Sequence, residues 1–161
     1  MDLATALAFA REFAFLLAVF SIALTIALWW GRQAVINICC GLYLALLLFD
    51  NFPYLATILG EGHKDTSNAL ITIGIFGVFT FISFLFFNRV MPREYLEGKF
   101  ESFPKKILLS VGLTILVVLI CYTTLPLSTF LTPQPELLSL FTKEHLEFWW
   151  LTLPLIAMAI N

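Results

Sequence analysis

The reading turns on TSNALITIGIFGVFTFISFLFFN, residues 66–88, a run of twenty-three without a single charged side chain. As a helix it extends about 34 Å at 1.5 Å per residue, enough for a hydrocarbon core of about 30 Å. Its polar members are hydroxyls and terminal asparagines, which a helix tolerates in lipid because its backbone groups are satisfied internally.

Similar runs flank it on both sides. Phe13–Gly31 is uncharged for nineteen residues between Glu12 and Arg32, and Gln33–Phe49 for seventeen before Asp50-Asn51-Phe52-Pro53. A fourth run starts after Lys105-Lys106 and reaches Leu125, where Pro126 interrupts it. The spans are therefore placed at about 13–31, 33–52, 67–88 and 107–127 in a single membrane domain, 1–161. The expected fold class is all-α, a polytopic membrane protein built as a four-transmembrane-helix bundle.

Composition agrees. Apolar residues make up 60% of the 161 and charged residues 12%, against about 45–50% and 25% in a soluble domain. A soluble chain this short keeps too much surface in water to hide so much Leu, Ile and Phe. The net charge of −2 gives no basic stripe for nucleic acid. The N-terminal stretch lacks a basic leader, and its apolar core exceeds a signal peptide's, so it reads as a retained helix.

The last uncharged stretch, Phe148–Asn161, covers only fourteen residues and contains Pro154. It reads as interfacial or re-entrant, preceded by an amphipathic surface helix over Pro135–Glu147. The segment is set at about 135–160. Trp149 and Trp150 fit the headgroup boundary there, as Trp29 and Trp30 do after the first span.

Lys/Arg placement sets orientation. Arg89, Arg93, Lys99, Lys105 and Lys106 crowd one loop, which the positive-inside rule makes cytoplasmic. Both termini then face away from the cytoplasm. The absence of a eukaryotic targeting signal points to a bacterial plasma membrane.

Inside lipid, close approach rather than hydrophobicity drives helix association, so small and hydroxylated stripes are the packing candidates. Span one has Ala14, Ala18, Ser21 and Thr25; span two has Ala34, Asn37, Gly41 and Ala45; span four has Ser110, Thr114 and Cys121. Span three is Phe-rich, with Gly74 and Gly77 as its close-approach points. Asn37 is the most polar side chain within a span and reads as a cross-helix hydrogen-bonding residue.

Candidates for chemistry are few. Gly60–Asp65 gathers Glu61, His63, Lys64 and Asp65. The contiguous His-Lys-Asp does not match the spacing of phospholipase D enzymes, and the loop reads as a solvated turn. Cys39, Cys40 and Cys121 sit in apolar runs without metal-ligand spacing. Ionisable groups at mid-span, the usual mark of proton relays, are missing, as are phosphate loops and nucleophile–base pairs. No catalytic, cofactor or metal residue is assigned.

With four short spans and Gly31-Arg32 directly after the first, the layout over residues 10–130 resembles the colicin V production protein family. Its members carry an Arg-Gly type turn at that place. The order here is reversed, and Glu101-Ser102-Phe103-Pro104-Lys105-Lys106 replaces the family's Leu-Asp…Gly lead into the last span. The resemblance implies an accessory role in export or envelope maintenance.

These readings lead to a non-enzymatic accessory or scaffold subunit of the cell envelope, with the lipid bilayer and other membrane proteins or itself as partners. The alternative is a small channel or transporter with Asn37, Thr25, Thr114 or Asp50 near its path. The segment Arg89–Lys106, with Tyr95, Leu96, Phe100 and Phe103 among its charges, is the expected docking surface.

Overall fold

The computed structural model describes residues 3–59, 65–91, 103–125 and 144–160, and the described residues are almost wholly helical. They form α1 (Leu3–Trp29), α2 (Arg32–Asp50), the short α3 (Leu55–Leu59), α4 (Asp65–Val90), α5 (Phe103–Thr123) and α6 (Glu144–Ile160). The Gly60–Lys64 loop, the segment 92–102 and residues 126–143, which include most of the expected surface helix, lie outside the described residues.

Helix ends follow local chemistry. Only Trp30 and Gly31 separate α1 from α2, and Gly31 adopts φ 86°, a left-handed conformation that costs a glycine nothing. At the far end of α2, the Asn51 N–H bonds the Leu47 carbonyl at 3.3 Å and its Nδ2 bonds the same oxygen at 2.8 Å. Pro53 follows and cannot continue the helix. Pro104 occupies the first turn of α5, where its missing N–H would have no intrahelical partner.

Among the described residues, three helices are long and apolar enough to cross a membrane: Arg32–Asp50, Ser67–Val90 and Pro104–Thr123. Phe13–Trp29 of α1 and Phe148–Ile160 of α6 are shorter apolar stretches.

Alpha-helices α2 and α5 form the centre. They pack on each other, α1 lies against both, α6 lies along α5, and α4 packs chiefly on α2 with α3 at its start. Register can be read from side-chain pairs. Gln33 meets Met91, Gly41 meets Ser83–Phe84 and Phe49 meets Phe76. Each step along α2 thus matches a step back along α4, an antiparallel pair. Ile38 shares a cleft with Leu113 and Val117, and Leu42 a groove with Leu125 beyond α5. Hence α5 runs parallel to α2.

These directions collect Arg32, Arg89, Lys105 and Lys106 at one end of the bundle, called here the basic end. Asp50, Asp65, Glu144 and Glu147 belong to the opposite end.

The core is apolar and centred on α5, with Leu109, Leu113, Leu116 and Ile120 buried beside Val35, Cys39, Leu42 and Ala45 of α2. From α1 it takes Ala23 and Ala27.

The C-terminal segment, expected from sequence to be interfacial or re-entrant, is helical where it is described and lies against α5. Its α6 begins among the charged residues Glu144–Glu147, which a count of uncharged residues excludes, and runs 17 residues. It packs lengthwise on α5. Pro154 is among the fully buried side chains, and a Cβ on Gly112 would lie 3.4 Å from the Pro154 Cα. Glycine there lets the two backbones approach.

Proline at 154 removes the N–H that would bond the Trp150 carbonyl. One residue further on, the Tyr43 hydroxyl donates to the Leu151 carbonyl at 2.5 Å. A side chain from α2 thus bonds the backbone of α6 next to the turn that the proline weakens.

Candidate functional site

The polar atoms inside this bundle belong to a few side chains, and the helix seams place them. Asn37 on α2 is only 1% exposed. Its Oδ1 accepts from Gln33 Nε2 at 3.2 Å, within the same helix, and its Nδ2 has no partner. The cross-helix bond expected of Asn37 is therefore replaced by an i,i+4 pair. Gln33 in turn reaches the Met91 sulfur just past α4 at 3.8 Å.

On α4, Ser83 is equally buried and its hydroxyl is unpartnered. Thr72 and Thr80 of the same helix instead donate to carbonyls four residues back, each at 2.9 Å. A buried polar atom left unpaired costs about 1–3 kcal/mol. The seam between α2 and α4 tolerates this beside a tight crossing, where a Cβ on Gly41 would stand 3.3 Å from the Phe84 Cα and N.

The span-four stripe is buried. Ser110 and Thr114 face the core, with hydroxyls bonded to the Lys106 and Ser110 carbonyls at 2.7 Å each. They fill space without offering hydrogen bonds to a neighbour. Cys121 is half-buried, and Cys39, Cys40 and Cys121 are all free thiols.

The span-one stripe is not a contact in this fold. Ala14, Ala18, Ser21 and Thr25 are all exposed, and α1 packs through Ala23 and Ala27 on its opposite face. Ser21 and Thr25 satisfy themselves on the Leu17 and Ser21 carbonyls at 2.7 Å. Small residues occur on both faces of α1, and spacing alone does not distinguish them.

Tryptophans mark both ends. Trp29 and Trp30 are exposed at the basic end, Trp149 is exposed near the start of α6, and Trp150 is half-buried. Indole rings thus stand at both ends of the bundle.

The concavities are apolar and open. A groove of about 540 Å³ runs between α4 and the α1–α2–α5 body, lined by Trp30, Ile38, Leu42, Phe76, Gly77 and Phe84 among others. Thr25 and Asp50 border smaller grooves, while Asn37 and Thr114 are buried. The four residues suggested for a conduction path are therefore split between surface and core. Among the described residues, no group of His, Cys, Asp and Glu is placed to hold a metal ion.

Sequence spacing did not single out Tyr43, Gly112 and Pro154, the three residues that dock α6. Only Pro154, a helix-breaker in an apolar run, carried a signal that could have found them.

No family model, curated protein or solved structure matches this chain.

Proposed function

We propose that this chain is a non-enzymatic accessory or scaffold subunit of a cellular membrane, binding another membrane protein through the uncovered side of α4. The supporting observation is the isolation of that helix. It runs 26 residues yet packs chiefly on α2, leaving Leu70, Val78, Phe81, Ile82, Leu85 and Phe86 exposed. Within this surface, Gly74 and Gly77 have nothing within 4 Å of where a Cβ would stand.

Glycine in a helix interior costs about 1 kcal/mol relative to alanine. Facing lipid it brings no compensation, whereas against another helix it allows close packing of backbones. The layout likeness to the colicin V production family agrees with such a role in the envelope.

In this reading α1, α2, α4 and α5 cross the bilayer with the basic end in the cytoplasm. The lengthwise packing of α6 supports a fifth crossing, directed back toward the cytoplasm. That departs from the sequence expectation of an extracytoplasmic C-terminus.

Affinity purification from detergent-solubilised native membranes tests the role. A stoichiometric partner should accompany the wild-type chain and be lost from a Gly74→Leu/Gly77→Leu variant that still folds. Retention of the partner by that variant, or its repeated absence from the wild type, would remove the proposal.

A further inference from the structure

The groove beside α4 and the clefts along α1 are lined by apolar residues, hydroxyls and indoles. The groove between α2 and α6, of about 440 Å³, is different because Asp50 lines it. Tyr43, Leu47 and Asp50 form its α2 wall, and Phe148, Leu151 and Leu155 its α6 wall. Each set falls on one face of its helix by spacing.

Packing explains the groove. Both α2 and α6 lie on α5, and they meet each other through the Tyr43 hydroxyl, which donates to the Leu151 carbonyl. A gap otherwise remains between the two helices. Leu47 is 59% and Phe148 66% exposed, so its walls open outward.

A carboxylate is out of place here on electrostatic grounds. Asp50 is the last residue of α2, and the last turn of that helix contains no basic residue. A helix C-terminus carries partial negative charge, which Lys or Arg would offset and an aspartate reinforces. Asn51, also at the groove, turns its N–H and Nδ2 to the Leu47 carbonyl, which leaves its amide oxygen as a further acceptor. Acceptors and negative potential therefore collect at one end of an apolar slot, with the exposed ring of Phe148 on the facing helix. A carboxylate and an aromatic ring suit an ammonium group, and the apolar walls suit a hydrocarbon chain joined to it.

We propose that the groove between α2 and α6 binds a phospholipid through its ethanolamine headgroup, with the ammonium on Asp50 and an acyl chain along Leu47, Leu151 and Leu155. A primary ammonium brings three N–H donors to the Asp50 carboxylate and the Asn51 amide oxygen. Immediately before Phe148 the chain carries Lys143, Glu144 and Glu147, whose side chains lie outside those described; acid is in excess there, which disfavours an anionic headgroup.

The inference rests on the membrane reading above but not on the scaffold role, so a pull-down without a partner leaves it intact. The test titrates the purified full chain in neutral detergent with phosphatidylethanolamine, phosphatidylcholine or phosphatidylglycerol, following bound lipid by native mass spectrometry and unfolding by thermal shift. Phosphatidylethanolamine should bind more tightly than either of the others. Asp50→Asn should weaken it about fivefold, the upper end for an exposed ion pair. The same variant should unfold at the wild-type temperature or above, because the helix end loses an unfavourable charge. Asp65→Asn, at the same end of the bundle on α4, should leave the affinity unchanged.

Equal binding of phosphatidylethanolamine and phosphatidylglycerol would overturn the site, as would an affinity unchanged in Asp50→Asn or lowered equally by Asp65→Asn. Should Asp50→Asn fail to fold, wild-type protein decides: phosphatidylethanolamine with a photoreactive group in its acyl chain should label residues 43–51 or 148–155, and labelling confined to other segments would overturn the assignment. A chain that does not reconstitute into phosphatidylcholine vesicles would overturn the membrane reading together with the site, whereas one that reconstitutes without lipid preference would overturn the site alone.

Discussion

Replacing Gly41 tests the contact that holds α4. A Cβ added there stands 3.3 Å from both the Cα and N of Phe84 and 3.6 Å from the Ser83 carbonyl carbon. Carbon atoms reach their best separation at about 3.5–4.0 Å, so the shortfall against Phe84 is a few tenths of an ångström. Helix backbone cannot rotate aside as a side chain would, and α4 must move bodily. Gly41→Ala gains up to about 1 kcal/mol in helix propensity against a comparable loss of contact, and should leave stability within about 1 kcal/mol of wild type. Gly41→Ile brings three further heavy atoms against the same backbone and should destabilise by about 3 kcal/mol, at the upper end for an overfilled contact. Because α4 packs chiefly on α2, that loss should appear as its release. A Gln33→Cys/Met91→Cys pair, at positions whose native side chains meet at their tips, 3.8 Å apart, should be bridged by a short bifunctional thiol reagent in the parent and fail to be with Gly41→Ile. Stability is read by titration with sodium dodecyl sulfate in mixed micelles. Wild-type stability and cross-linking in Gly41→Ile would refute the crossing geometry.

Other consequences concern the remaining seams. Tyr43→Phe deletes the 2.5 Å bond to the Leu151 carbonyl and should cost about 1–2 kcal/mol, with faster hydrogen exchange confined to α6. Ser110→Ala and Thr114→Ala should each change stability by less than about 1 kcal/mol in the same titration, since both hydroxyls bond only their own helix; a larger loss would reveal a cross-helix bond. A reporter joined after Asn161 should be active only as a cytoplasmic fusion, and an extracytoplasmic signal would return the end of α6 to the position expected from sequence.

Charges and prolines made the helices legible. Spans read at about 33–52, 67–88 and 107–127 correspond to α2 at Arg32–Asp50, α4 at Asp65–Val90 and α5 at Phe103–Thr123. Water keeps charged residues out of the apolar runs, so the runs announce themselves. Facing was harder to read. On α2 the stripe Ala34, Asn37, Gly41 and Ala45 is buried, while on α1 the chosen stripe is exposed and Ala23 and Ala27 pack instead. A helix of uniformly apolar residues has no polar side to contrast with its packed side, and lipid does not supply the contrast that water would. The hydroxyls were ambiguous for a related reason, because Ser21, Thr25, Ser110 and Thr114 all bond their own backbone, whether exposed or buried. The docking of α6 depends on Gly112 meeting Pro154 across 42 residues of sequence, a pairing that only three-dimensional packing can disclose.

The order of synthesis acquires a particular meaning from the contacts of α1. Its Ala23 shares a cleft with Leu113, a residue 90 positions downstream. At about 5–20 residues per second, a ribosome takes roughly 5–20 s to make that stretch. Once Asp50 has been made, α1 and α2 wait out the remainder of that time without the helix that will bury them. The nascent chain therefore passes through a half-built state whose Ala23–Ala27 face is uncovered. Assembly is complete only when α5 arrives to close it.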